Sequence, residues 1–246
     1  MTAVQGSRQF TSIAIIGLLF FIFGFVTWLN GPLITFAKLA FNVSETYAFL
    51  IPSAFYISYF CPALPSSVIL RRTGMKKGMA LGLFVMAIGA LVFGQFTTHR
   101  WYPGALGGVF TIGAGLAILQ TAANPYISIL GPIEGAAQRI AVMGICNKIA
   151  GILAPIALAA FVLHGMGDLA AQVEAAAPEA KELLLNEFAA RVYGPYMVMA
   201  GLLVLLAIGI LFSPLPEVDT AEANANEGGA ESNRRSVFQF PHLLLG

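Results

Sequence analysis

The sequence predicts an all-α membrane protein. Three observations carry that reading. The 246 residues are 58% hydrophobic and only 10% charged, with a mean hydropathy of +0.80. A soluble domain carries roughly 25% charged residues. Apolar stretches near the length of about 20 residues needed to cross a bilayer recur along the chain. Finally, no Asp or Glu falls inside any of those stretches; every acid sits in a loop or at a span edge.

Six spans are predicted: Thr11–Phe36, Tyr47–Leu70, Gly78–Phe96, Gly104–Leu130, Arg139–Leu163 and Tyr193–Phe212. Residues 1–213 therefore form a six-helix transmembrane bundle. In the first span the apolar run continues past the h-region of a signal peptide, about 7–15 residues, and no small-residue cleavage site follows, so it reads as a span. Pro52, Pro62 and Pro65 are expected to bend the second, because each removes a helix hydrogen bond. Gly107, Gly108, Gly113 and Gly115 suit the fourth to close helix packing. Between spans five and six, Gly165–Val192 reads as a loop of mixed charge with a short surface helix over Ala175–Arg191. Residues 214–235, rich in Ala, Asn, Glu and Gly, read as a flexible cytoplasmic linker. Residues 236–246 are apolar but too short to span, and read as the cut-off start of a seventh helix.

Charge sets the expected direction. With Met1 inside, the inner segments hold Arg8, Arg71, Arg72, Lys76, Lys77, Arg139, Arg234 and Arg235; the outer ones hold Lys38, Arg100, Lys181 and Arg191. Basic residues favour the cytoplasmic side, so both termini are expected there. A net charge of +1 gives no electrostatic case for nucleic acid. Cys61 and Cys146 have no partner spacing and read as small core residues. His99, His164 and His242 are scattered and suggest no metal site. No nucleophile, base and orienting group can be assembled, so the sequence does not read as an enzyme, and no cofactor is called for.

The polar residues inside the spans carry the functional signal. Gln120 and Asn124 stand four apart, on one helix face, beside Pro125. Hydrocarbon offers amides no partners, so such a face is expected to line a protein cavity. Neutral amides suit a polar, uncharged ligand, and sugar hydroxyls fit. Asn147 and Lys148 enter span five at a depth matching Asn124. Lys148 lies nine residues past Arg139, roughly 13 Å along a helix. A lysine near a span centre costs about 2.5–3.5 kcal/mol on insertion scales. It either reaches back to carbonyls and water or faces the cavity. The asparagines serve the cavity or bond neighbouring helices, and Trp28 stacks on a sugar ring or anchors the interface. Asn30, next to Gly31 and Pro32, echoes Asn124–Pro125, as expected for binding sites in transporters built of repeats.

The strings FGFVTWLNGPLI (Phe23–Ile34), LQTAANPYISILGP (Leu119–Pro132) and ICNKIAGILAP (Ile145–Pro155) resemble the fucose–galactose–glucose symporter group of the major facilitator superfamily, in particular its glucose/galactose transporter branch. RRSVFQFPHLLLG resembles the start of that branch's seventh helix. The resemblance runs from about Ser12 to Gly246. It implies a fold of two six-helix halves with sugar bound between them, of which this chain is the N-terminal one, missing its C-terminal partner. It also implies alternating-access transport in the lipid bilayer, at the bacterial inner membrane. In the L-fucose permease branch acids on helices one and four support proton coupling; the matching positions here are Gly31 and Gln120. The coupling ion, proton or sodium, is left open. The superfamily's conformational loop after helix two is matched by Arg72, Gly74, Lys76 and Lys77, with Ser67 and Arg71 at its Gly and Asp places. The alternatives are a six-span channel of aquaporin type, which would need a second Asn-Pro within a span, and a membrane scaffold without transport.

Overall fold

The structure is a computed structural model that describes residues 3–131 and 133–216. Most of the predicted linker and all of the predicted seventh-helix start lie outside the described residues. Among the described residues the regular structure is wholly helical. Five helical stretches are long and apolar enough to cross a membrane, and a sixth is a bent pair.

The first span runs Thr11–Ala40. It consists of α1 (Ala3–Trp28) and α2 (Asn30–Ala40), interrupted at Leu29. The interruption follows from Pro32, which has no N–H to offer the carbonyl four residues back. The second span comprises α3 (Glu45–Ala48), α4 (Leu50–Phe60) and α5 (Ala63–Thr73). The Ser44 hydroxyl caps α3 by accepting from the Tyr47 amide at 3.4 Å. The Glu45–Phe60 and Pro65–Thr73 segments meet at 54°, the bend that the prolines predict. At the bend the Pro62 carbonyl accepts from the Ser66 amide at 2.8 Å and from its hydroxyl at 2.6 Å. Cys61, expected in the core, is exposed at this break.

Spans three to five are the single helices α6 (Met75–Thr98), α7 (Tyr102–Ile129) and α8 (Ala136–Phe161), and span six is α11 (Tyr193–Phe212). Helix α7 is the axis of the bundle. Its backbone meets α6 along a seam of glycines: a Cβ at Gly89 would lie 2.5 Å from the Ile112 nitrogen, and one at Gly115 2.6 Å from the Gly82 oxygen. On the other side, a Cβ at Gly113 would lie 2.6 Å from the Phe55 oxygen of α4. Helix α8 packs on α1, where a Cβ at Gly24 would lie 2.7 Å from the Asn147 oxygen. Helix α11 packs on α6 through Phe93 and Tyr196, with ring centroids 4.5 Å apart. Burial is uneven: 61% of the apolar window of α7 is buried, against 17% for α8. Ile145, Ile149, Ile152 and Ile156 of α8 are exposed.

The segment between spans five and six differs from the expected loop. It forms two helices, α9 (Met166–Ala175) and α10 (Pro178–Ala190). Helix α10 lies against the bundle, with Leu185, Phe188 and Ala189 fully buried and Phe188 5.3 Å from the Phe36 ring. The charged residues between the apolar ones mask this amphipathic face in the sequence. Arg100 fixes the same end: it is ion-paired with Glu182, and its Nε donates to the Ala40 carbonyl at 2.7 Å.

Candidate functional site

The candidate polar residues fall into three groups. Gln120 and Asn124 both lie on α7, one turn apart, where the seam glycines end. Asn124 is exposed and Gln120 half-buried. The Tyr59 hydroxyl of α4 donates to the Gln120 side-chain oxygen. This bond fixes the Gln120 amide from across the helix interface and leaves its NH₂ group as a donor. Sequence reasoning missed Tyr59. A tyrosine in an aromatic-rich apolar run carries no mark that separates it from ordinary packing, and its partner is 61 residues away.

The second group joins α1 to α8. The Lys148 ammonium sits over the Trp28 ring, 5.1 Å from its centroid. An ammonium over an indole face is stabilised by about 0.5–2 kcal/mol, more as water is excluded. Both residues are exposed, Trp28 at 44%. Gly151, one turn along α8 from Asn147, makes the approach possible, since a Cβ there would lie 2.8 Å from the Trp28 indole nitrogen. Asn147 sits beside this pair, and its amide nitrogen donates to the Phe20 carbonyl at 3.4 Å. It therefore does join neighbouring helices, and its side-chain oxygen is not used in that bond.

Asn30 stands apart. It is 4% exposed and donates to the Thr27 carbonyl at 3.0 Å and the Val26 carbonyl at 3.5 Å. It borders a small internal gap with Leu33, Phe55 and Ile112. Its observed bonds thus satisfy the backbone of α1 just ahead of the Leu29 break.

The basic loop joins α5 to α6. Gly74 ends α5 with φ +79°, in the region that favours glycine. Arg72 and Lys77 are exposed. Lys76 reaches across to donate to the Ser213 carbonyl at the end of α11, at 2.8 Å. Nearby, the Tyr126 hydroxyl donates to the Pro216 carbonyl at 2.8 Å. Arg139, 7% exposed, donates to the Ile127 and Ser128 carbonyls at 3.0 and 2.8 Å. These are among the last carbonyls of α7, which have no partner within the helix. Among the described residues no cluster of His, Cys, Asp and Glu could hold a metal ion.

Among the described residues, a helical bundle of broken and bent spans, long and apolar enough to cross a bilayer, defines an integral membrane protein. Residues 16–245 match the Major Facilitator Superfamily, and the chain belongs to that family. It is 34% identical to a glucose/galactose transporter of Brucella abortus, over 93% of this chain and 51% of that protein. It is 27% identical to the L-fucose-proton symporter of Escherichia coli, over 98% and 55% respectively. A crystal structure of the Escherichia coli fucose:proton symporter FucP superposes with a TM-score of 0.72 at 29% identity, covering 85% of this chain and 50% of that one. A FucP structure in the outward conformation gives a TM-score of 0.73 at 26% identity. The chain thus spans about half the length of the relatives it matches.

Proposed function

We propose that this chain forms one wall of a sugar transporter that moves a glucose- or galactose-type hexose by alternating access. The observation that carries the proposal is the Tyr59–Gln120 bond with Asn124 exposed one turn beyond it. Such an array offers fixed amide donors and acceptors to hydroxyls, where hydrocarbon would otherwise strand them. Trp28 supplies a ring face for a sugar, and Lys148 and Asn147 border it. The names of the relatives support the substrate class. Their greater length supports a second helical body as the partner for transport. In this proposal residues 1–213 are the bundle, with the N-terminus and the Arg71–Lys77 loop in the cytoplasm of a bacterial inner membrane. Residues 214–235 link it to the second body, which begins within 236–246. Arg72, Gly74, Lys76 and Lys77 act as a latch at that end, with Lys76 holding the end of α11.

The test is uptake of labelled glucose, galactose and fucose into vesicles. Residues 1–246 are reconstituted alone and joined to the C-terminal half of the Brucella relative, with and without proton and sodium gradients. Saturable glucose or galactose uptake is expected only in the joined protein, because alternating access needs one half to rock against another. Uptake by the chain alone would overturn the half-wall assignment. A joined, correctly inserted protein that moves none of the three would overturn the sugar assignment.

A further inference from the structure

A groove of about 500 Å³ opens between α1, α8 and α11. Phe21 and Phe25 of α1, Ala157 and Phe161 of α8, and Met199 and Leu202 of α11 form its walls. Its volume lies in the range of sites that enclose a small molecule, about 300–1,000 Å³. The lining side chains are aliphatic, thioether, proline or aromatic, and the Tyr196 hydroxyl is the polar group among them. A lining this apolar favours hydrocarbon over water. All three walls belong to helices long and apolar enough to cross a membrane, so an apolar recess between them suits an acyl chain.

One end of the groove is charged. Val162 and Pro195 line that end. Arg191 lies one turn before Pro195 in the chain; its Nη1 donates at 2.8 Å to the carbonyl of His164, which closely follows Val162, and the guanidinium lies 5.6 Å from the Phe188 ring centroid. Arg191 is half-buried, and its remaining N–H donors have no partner among the described residues. A guanidinium held in place with donors to spare favours phosphate, which it binds through paired N–H groups.

We propose that this groove is a phospholipid site. One acyl chain lies between α1, α8 and α11, and the lipid phosphate is bound by Arg191. Non-specific boundary lipid would need neither the recess nor the fixed cation. The site is independent of any transported sugar, so its failure leaves the transport reading untouched.

Photolabelling tests it. The full chain is placed in phosphatidylcholine vesicles containing a little phosphatidylglycerol with a diazirine midway along one acyl chain. After irradiation, adducts are mapped by peptide mass spectrometry. Adducts are expected to be concentrated several-fold on Phe21, Phe25 and Leu202 over Tyr56, Ile57 and Phe60, the exposed apolar residues of α4. Ala157→Trp should fill the groove and abolish that excess. Arg191→Gln should lower groove labelling by about tenfold, the effect of losing a charge-assisted contact. Labelling spread evenly over the groove and α4 in the unaltered chain would overturn the site. Equal groove labelling by a diazirine diacylglycerol, with Arg191→Gln silent, would overturn the phospholipid assignment.

Discussion

Between α6 and α7 the backbones touch, whereas between α1 and α11 bulky side chains stand the helices apart around a groove. Both contacts join long apolar helices, and neither gains from expelling water, because lipid is as apolar as the side chains. At the seam, glycines replace side-chain volume with backbone contact, and dispersion over many close atoms holds the pair. At the divide, Phe21, Phe25 and Leu202 take up that space and leave a recess for lipid. Apolarity alone therefore does not pack a membrane helix; the sizes of facing side chains decide whether protein or lipid fills the gap.

The largest effect should come from breaking the seam. Gly89→Leu drives a side chain into the backbone of α7 at Ile112. Overpacking typically costs about 1–3 kcal/mol, and more where backbone must move. Loss of the monodisperse peak on detergent size-exclusion is expected. Gly201→Leu, on a part of α11 where a Cβ meets nothing within 4 Å, should run like the parent. Equal behaviour of the two variants would mean that close approach does not hold α6 to α7.

The next effect belongs to the polar contact where α8 meets α1. In a transport-competent protein, Lys148→Ala removes the ammonium over Trp28 and should lower sugar uptake by roughly tenfold or more, as for a charge-assisted hydrogen bond of about 1.5–3 kcal/mol. Expression and melting temperature should stay near the parent, since Lys148 is exposed. Uptake within twofold would remove Lys148 from the site.

A smaller shift is expected from Tyr59→Phe, which keeps the ring and deletes the bond to Gln120. A net hydrogen bond is worth about 0.5–1.5 kcal/mol. The sugar concentration for half-maximal uptake should rise several-fold, and Gln120→Ala in the same background should add little. Additive effects in that double-mutant cycle would show that Tyr59 does not act through Gln120. The smallest effect should be Gly144→Ala, on an open part of α8 with nothing within 4 Å of a Cβ. Its melting temperature should equal or slightly exceed the parent's, because Ala is favoured over Gly inside a helix by about 0.5–1 kcal/mol.

The spans were legible because hydrocarbon imposes length and composition on every crossing helix, and the bend of the second was legible in Pro62 and Pro65. Gln120, Asn124, Asn147 and Lys148 were conspicuous for the same reason, being polar where polarity is costly. What the sequence hid were relations across the fold. The pairing of Lys148 with Trp28 joins α8 to α1, and Tyr59 becomes notable only when α4 is laid beside Gln120. Helix α10 was read as a surface element, because its buried Leu185 and Phe188 alternate with charges that serve the outer face. Asn30 looked like a partner of Asn124, yet its observed bonds are local, to carbonyls one turn back.

The Arg139 contact has a consequence for biosynthesis. Two terminal carbonyls of α7 are satisfied by a guanidinium that emerges from the ribosome 11 to 12 residues later. Until then those carbonyls must stay in water or in the translocation machinery, because each polar group unsatisfied in lipid costs several kcal/mol. Helices α7 and α8 are therefore expected to leave the insertion channel as a hairpin. Cross-linking of stalled nascent chains offers a check: α7 should remain beside the channel until α8 has emerged, and Arg139→Ala should prolong that stay. Release of α7 before Arg139 is synthesised would show that its end is satisfied by something else.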